Sequence, residues 1–379
     1  MSDSNDESFT RTVISRAGVP GSKPAAEDDR AHYLVVVEGE QLGLRIELGP
    51  GKLVIGRAEP ADVVIADSQV SRKHCRVGLV MGELFVTDLE SSNGTFVAGA
   101  RISGSKMLAP GERVTIGATV LEHEWRSRRE VEAARALDSD LEKAKHYVRS
   151  LLPQSLEQGP VRTDWVLQPS AKLGGDMFGY RFLDDRRFAI YLIDVSGHGI
   201  NAAMHAVSVM NVLRQPDSQA SLDAGDPAAM AAHLNAMFAM ESHGGMLLSL
   251  WYGVFDLEAR TAVFTSAGHH AAYVVGPERR TAEALEASNV LIGMMPGYAY
   301  KVGHAQFPAG AALYLFSDGV FEIQAADGRA WAIGDFLPVL TAPAVPGKPE
   351  SQRILQAVKA LSGRQAFEDD FTLVVAAFG

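Results

Sequence analysis

From Phe188 to Gly199 the chain reads FAIYLIDVSGHG. The apolar run Phe188 to Ile193 is too short to cross a membrane and lacks the alternation of a strand with one wet face. It predicts a strand buried on both faces. Asp194 stands at its mouth, Ser196-Gly197-His198-Gly199 breaks the run, and the Ala-, Met- and Val-rich stretch Asn201 to Leu213 predicts a helix. A carboxylate at the end of a buried strand is costly unless a cation or strong donors receive it, which makes Asp194 a metal-ligand candidate. The same succession also makes a plain turn, so this stretch alone leaves both readings open.

The length of 379 residues predicts two or three domains with ample core. A net charge of −11 argues against a nucleic-acid-binding body. No apolar run reaches the length of a membrane span, and the opening MSDSNDES is unlike a signal peptide. A single cysteine, Cys75, excludes a disulfide framework and a multi-cysteine zinc site, and its setting in HCRVGLV predicts a buried thiol. A cytoplasmic protein with no membrane and no nucleic-acid partner is expected.

Residues 1–31 are acidic, rich in Ser, Gly and Pro, and predict a disordered tail. Within it, Thr10 and Thr12 beside acids are candidate phosphorylation sites, with an inert tail as the plainer reading. Residues 32–125 carry many short β-rich runs between turn residues, which predicts a β-sandwich. The loops hold Gly56-Arg57, Ser71-Arg72-Lys73-His74 and Ser91-Ser92-Asn93-Gly94-Thr95. Arginine, serine hydroxyls and an asparagine are a donor set for a phosphate and a peptide backbone. In order and spacing these signatures resemble a forkhead-associated (FHA) domain. The resemblance implies a phosphothreonine-containing protein partner, with Arg57, Ser71 and Ser92 on the phosphate, Arg72 assisting, and Asn93 on the peptide backbone. His74 is read as a brace for the loop and Gly94 as a turn requirement.

Residues 126–153 lack Gly and Pro until Pro153, and Ala134, Leu137, Leu141, Ala144, Val148 and Leu151 recur at alternating helical spacings. That stripe predicts a helical linker, either a coiled-coil seam in a homodimer or an amphipathic helix packed on its own domain.

Residues 154–379 mix strands and helices in an α+β order. Asp176 leads one predicted strand, Asp194 ends another, Asp318 ends a third, and Asp369-Asp370 lead the last. Hard divalent cations such as Mg²⁺ or Mn²⁺ take oxygen ligands of this kind. GGDMF at 174–178, DVSGHG at 194–199, SAGHH at 266–270, SDGVFE at 317–322 and EDDFT at 368–372 resemble the SpoIIE/RsbU branch of the metal-dependent (protein phosphatase 2C-like, PPM) Ser/Thr phosphatases. The resemblance implies a four-layer α/β/β/α fold and two divalent ions, Mn²⁺ or Mg²⁺. It assigns as ligands Asp176, Asp194, Asp318 and Asp369, with the carbonyl of Val195. It further implies a phosphoserine or phosphothreonine substrate, for this branch a STAS-type anti-sigma-factor antagonist. Gly179 stands where many relatives carry Asp, and His198 is a residue of open role. The alternative is an FHA phosphopeptide-binding scaffold with a regulatory or inactive phosphatase body.

Overall fold

The computed structural model describes residues 12–14, 29–197, 199–214, 222–326, 328–364 and 366–379. Thr10 and His198 lie outside the described residues. The chain divides into two units between Asp138 and Ser139.

In the first unit a seven-stranded and a five-stranded sheet pack face to face. Leu34, Ile46, Val114 and Leu121 from the larger sheet share one core with Ile55, Val77 and Val86 from the smaller. Alternation along each strand supplies these inward residues and leaves the intervening ones towards water. Cys75 is in that core, its thiol pushed up to about 12 by burial. The predicted disorder before residue 32 is corrected at two places. A strand at Thr12–Ile14 pairs in parallel with Arg45–Leu48, and the following strand, Arg30–Glu38, begins before the expected edge. A sheet edge offers unpaired backbone groups, and Thr-Val-Ile is a β-favouring triplet able to take them up.

The predicted linker helix is α1 (Arg128–Ser150); Arg126 and Ser127 instead continue the strand Thr119–Ser127. The apolar stripe does not behave as one seam. Val148 and Leu151 pack against the core of the second unit, Leu141 and Ala144 are half-buried, and Leu137 is 57% exposed.

The second unit contains a five-stranded sheet and a six-stranded sheet. Arg187–Val195 and Leu248–Asp256 lie side by side in the larger sheet, buried over nearly their whole length as the apolar run predicts. In the smaller sheet the period-two alternation separates two cores. Leu313, Leu315, Val374 and Ala376 face the core shared with Ile190, Leu192 and the helices α2 (Ile200–Arg214) and α3 (Pro227–Met237). Tyr314, Phe316, Leu373 and Val375 face the opposite way, onto α4 (Ile333–Thr341) and α5 (Glu350–Ser362) through Phe336, Leu340, Ile354 and Val358. The layers therefore run helices, sheet, sheet, helices. Asp226 starts α3 by accepting the amides of Ala228 and Ala229, with Pro227 at the first helical position. Sequence periodicity did not expose α4, because Pro338 sits inside it.

Candidate functional site

The acids converge because strands from both sheets end on the same side. Asp176 precedes Met177–Phe182, whose Met177 lies opposite Ile193, so its carboxyl comes beside that of Asp194. In the other sheet Phe316 lies opposite Leu373, which brings the Ser317-Asp318 turn against Asp369-Asp370. The Ser317 hydroxyl donates to the Asp370 carbonyl at 2.9 Å and accepts the Thr372 amide at 3.1 Å, tying the two ends together.

Burial and mutual repulsion set the electrostatics. Asp176 is only 4% exposed, and its carboxyl is raised well above the usual range by burial, then by the charges of Asp194 and Asp370. Asp194 is pushed up to about 7 by burial, then by Asp318, Asp369 and Asp370. Asp176 Oδ2 has no hydrogen bond of good geometry; the Ser317 and Thr372 hydroxyls near the carboxyl offset its rise only in part. A buried carboxylate oxygen without a donor is expensive, and a cation is the group that would relieve it. Among the described residues no three His, Cys, Asp or Glu side chains stand in a ready-made metal-binding arrangement. The donor set is nevertheless all oxygen and all acidic, which suits hard divalent cations.

Asp370 is occupied otherwise. Its Oδ1 accepts the amide and hydroxyl of Ser170 at 2.8 and 3.0 Å, and its Oδ2 accepts the Gly175 amide at 2.8 Å. It thereby pins the loop that leads into Asp176. Gly174 is required there, since a Cβ would lie 2.0 Å from Asp370 Oδ2. At Gly175 a Cβ would meet the Val195 carbonyl oxygen at 2.2 Å, so the backbone passes directly beside that oxygen. The site of the missing acid is filled: a Cβ on Gly179 would lie 2.3 Å from the Tyr191 hydroxyl.

A cleft of about 200 Å³ opens beside the acids, lined by Asp194, Ser196, Leu247, Ser249, Gly268, His269, His270, Leu291 and Asp318. The His269 and His270 Nδ1 atoms each bond the following residue's carbonyl at 2.9 Å, while His269 Nε2 and Ser249 Oγ are buried without partners. Burial lowers His269 to about 3, so the ring stays neutral. Glu322, to which the sequence alone assigned no role, is raised by burial and by the charges of Asp318 and Asp369. Its spacing four residues after Asp318, one turn on, was the available signal.

In the first unit the loop residues also meet. The Ser92 amide donates to Ser71 Oγ at 3.0 Å, and the two hydroxyls lie 3.4 Å apart. Arg57 begins the same end, its amide bonded to the Ser71 carbonyl at 3.0 Å, with its side chain exposed. Arg72 and Asn93 are exposed there too, and Asn93 donates to the Gln69 carbonyl at 2.7 Å. Buried His74 accepts the Ser71 amide at 3.1 Å through Nδ1 and reaches the Gly94 carbonyl at 3.1 Å through Nε2. Asp88, which motif reading passed over, holds the third loop by accepting from Ser91 and Thr95.

Two sheets between helical layers, with acids gathered at converging strand ends, define the architecture of the PP2C-type phosphatases, joined here to a two-sheet β-sandwich. A family model described as Stage II sporulation protein E (SpoIIE) matches residues 184–379, just over half of the chain, and an FHA domain model matches residues 53–117. The chain belongs to the SpoIIE family, and its first unit is an FHA domain. The phosphoserine phosphatase RsbP of Bacillus subtilis is 24% identical over 183 residues, which cover 48% of this chain and 45% of RsbP. The FHA domain-containing protein FhaB of Mycobacterium tuberculosis is 38% identical over 117 residues, covering 30% of this chain and 76% of FhaB. The solved SiaA-PP2C domain of Pseudomonas aeruginosa aligns with a TM-score of 0.54 at 19% identity, over 65% of this chain and 99% of that one. The chain spans about half the length of the phosphatase relatives RsbP and RsbU.

The raised carboxyls have a consequence for stability. Asp194 keeps its proton in the folded state up to about pH 7, whereas the unfolded chain loses it near its ordinary value of 3.8. Its contribution to folding is therefore fullest on the acid side and is lost as pH rises through that window. In the presence of a chelator the melting temperature should fall between pH 5.5 and pH 8 by more in the wild type than in Asp194→Asn. Thermal denaturation at the two pH values checks it; equal falls in the two proteins would reject the clustering.

Proposed function

We propose that this chain is a metal-dependent protein serine/threonine phosphatase directed by its FHA domain. The observation that carries the reading is the buried, unpartnered Asp176 Oδ2 among acids delivered by both sheets, beside a cleft whose described lining holds no Lys or Arg. Among the described lining residues a phosphate dianion meets no lysine or arginine, which favours bound cations as its counter-charge. Asp176, Asp194, Asp318 and Asp369, with the Val195 carbonyl, would hold two divalent ions, Mn²⁺ or Mg²⁺. When bound, such ions supply an activated water at neutral pH and positive charge for the phosphoryl oxygens. The chain's own part is positional. Asp370 and Ser317 hold the acid-bearing loops, Gly175 admits the Val195 carbonyl, and Leu247 and Leu291 wall the cleft on its apolar side.

The substrate in this reading is a phosphoserine or phosphothreonine protein, with a STAS-type anti-sigma-factor antagonist as the class implied by family resemblance. Arg57, Ser71, Arg72, Ser92 and Asn93 bind a phosphothreonine-containing partner. Two copies of the chain pair along the exposed part of α1, where Leu137 lies open. No described helix is long and apolar enough to cross a membrane, in keeping with a cytoplasmic place of work.

Asp194→Ala should lower hydrolysis of a generic phosphate ester by at least about a hundredfold at saturating Mn²⁺, since a shared ligand is lost. Near-normal turnover would reject the assignment. Arg57→Ala should weaken phosphothreonine-peptide binding by about 1.5–3 kcal/mol in calorimetry, the range of a hydrogen bond to a charged group. Equal affinity would reject the reader site. In sedimentation the wild type should run as a dimer and Leu137→Asp as a monomer; a monomeric wild type ends the pairing idea.

A further inference from the structure

Several of the described arginines of the FHA unit are held by acids and others are not. Arg45, Arg113, Arg126, Arg128 and Arg129 each have a carboxylate partner. Arg57 and Arg72, at the phosphopeptide end, make no side-chain ion pair with a described residue, as befits groups kept for a ligand. Arg76, exposed on the strand Cys75–Val80, and Arg101 share that condition, and of these two it is Arg101, part of none of the motifs that mark the reader, that lies against Gly94.

Its position is set by the backbone. Ala100–Arg101 forms a short hairpin with Thr95–Val97, in which Arg101 lies opposite Phe96, and the Ile102 amide bonds the Thr95 carbonyl at 2.9 Å. The exposed side chain runs back across Gly94. A Cβ on Gly94 would lie 2.5 Å from Arg101 Nε and 3.1 Å from Nη2, and Gly94 has φ +82°. Gly94 directly follows Ser92-Asn93, so the guanidinium sits one residue beyond the asparagine. Glycine thus serves twice here, for the turn and to let the arginine lie along the site's border.

We propose that Arg101 forms a second anion subsite beside the phosphothreonine pocket, so that the FHA unit selects phosphothreonine peptides carrying an Asp or Glu close to the phosphorylated residue. The inference rests on the reading that Arg57, Ser71 and Ser92 hold the phosphate. An extended peptide advances about 3.3 Å per residue, so a carboxylate within about three residues of the phosphothreonine is in reach of Arg101. A planar guanidinium suits a carboxylate in two-point contact, and no internal carboxylate has to be displaced first. The occupant is a phosphopeptide and not a nucleic acid, because the whole chain carries a net charge of −11.

The test uses the full chain with chelator present, so that the probe is not hydrolysed. Labelled phosphothreonine peptides of neutral background carry one Glu, or Gln as control, at each position up to three residues either side. For the best position the Glu peptide should bind the wild type about fivefold more tightly than its Gln counterpart at low salt, with the advantage shrinking as salt rises. In Arg101→Gln the ratio should fall to about one, and Arg101→Lys should restore part of it. Equal binding of Glu and Gln peptides by the wild type overturns the subsite while leaving the reader intact. A ratio that persists in Arg101→Gln overturns it as well. If no phosphothreonine peptide binds more tightly than its unphosphorylated form, the reader itself fails, and the subsite with it.

Discussion

The second unit is governed by the cost of crowding carboxylates where Asp176 and Asp370 are buried, Asp194 and Asp318 half-buried and Asp369 exposed. Asp176, Asp194, Asp318, Asp369 and Asp370 stand where two sheets end, and burial, then repulsion between them, raises Asp176 and Asp194. A chain has no reason to bear that cost for stability alone, since apolar residues in the same places would pack without it. The strain is held in place by the continuous hydrophobic strands behind it. Ile190, Leu192 and Ile193 are fully buried, as are Leu315, Phe316 and Leu373. Rigid strands give the acids no room to separate, which keeps them poised for a counter-charge.

The FHA unit solves the opposite problem with the same economy. In the proposed reading its ligand brings negative charge, so the loops have to present donors to it. His74 and Asp88, beneath the loops, take up the hydrogen bonds that shape them. Ser71 and Ser92 touch through a hydroxyl and an amide, while the Arg57 and Arg72 side chains are exposed.

Much of this was legible from residue order. The uninterrupted apolar run at Phe188 to Ile193 announced a strand covered on both faces, and the acids at strand ends announced a shared site. What escaped notice depended on contacts distant in sequence or on local rules overruled by packing. α4 was hidden by Pro338, yet Phe336 and Leu340 anchor it on the sheet. The strand at Thr12–Ile14 lies in a segment whose composition reads as unstructured, and only the open edge of Arg45–Leu48 reveals its use. The stripe along α1 resembled one seam; the distribution of burial divides it, with Val148 and Leu151 already engaged within the chain. The separate duties of Asp369 and Asp370 are likewise invisible in a pair of identical neighbours.

That last distinction bears on how mutational surveys of such enzymes are interpreted. Asp370 bonds Ser170 and Gly175 and so fixes the approach to Asp176. Its replacement by Ala would free the loop and let Asp176 drift, abolishing turnover as thoroughly as the loss of a ligand. Replacement by Asn keeps one acceptor oxygen but turns a donating amide NH2 towards Gly175 or Ser170, where an acceptor is needed. A survey that scores only surviving activity would count both neighbours as equivalent. Scored by metal affinity against temperature, the two would part company: a lost ligand weakens binding at every temperature, whereas a lost anchor lets the site form when cold and dissolve on warming.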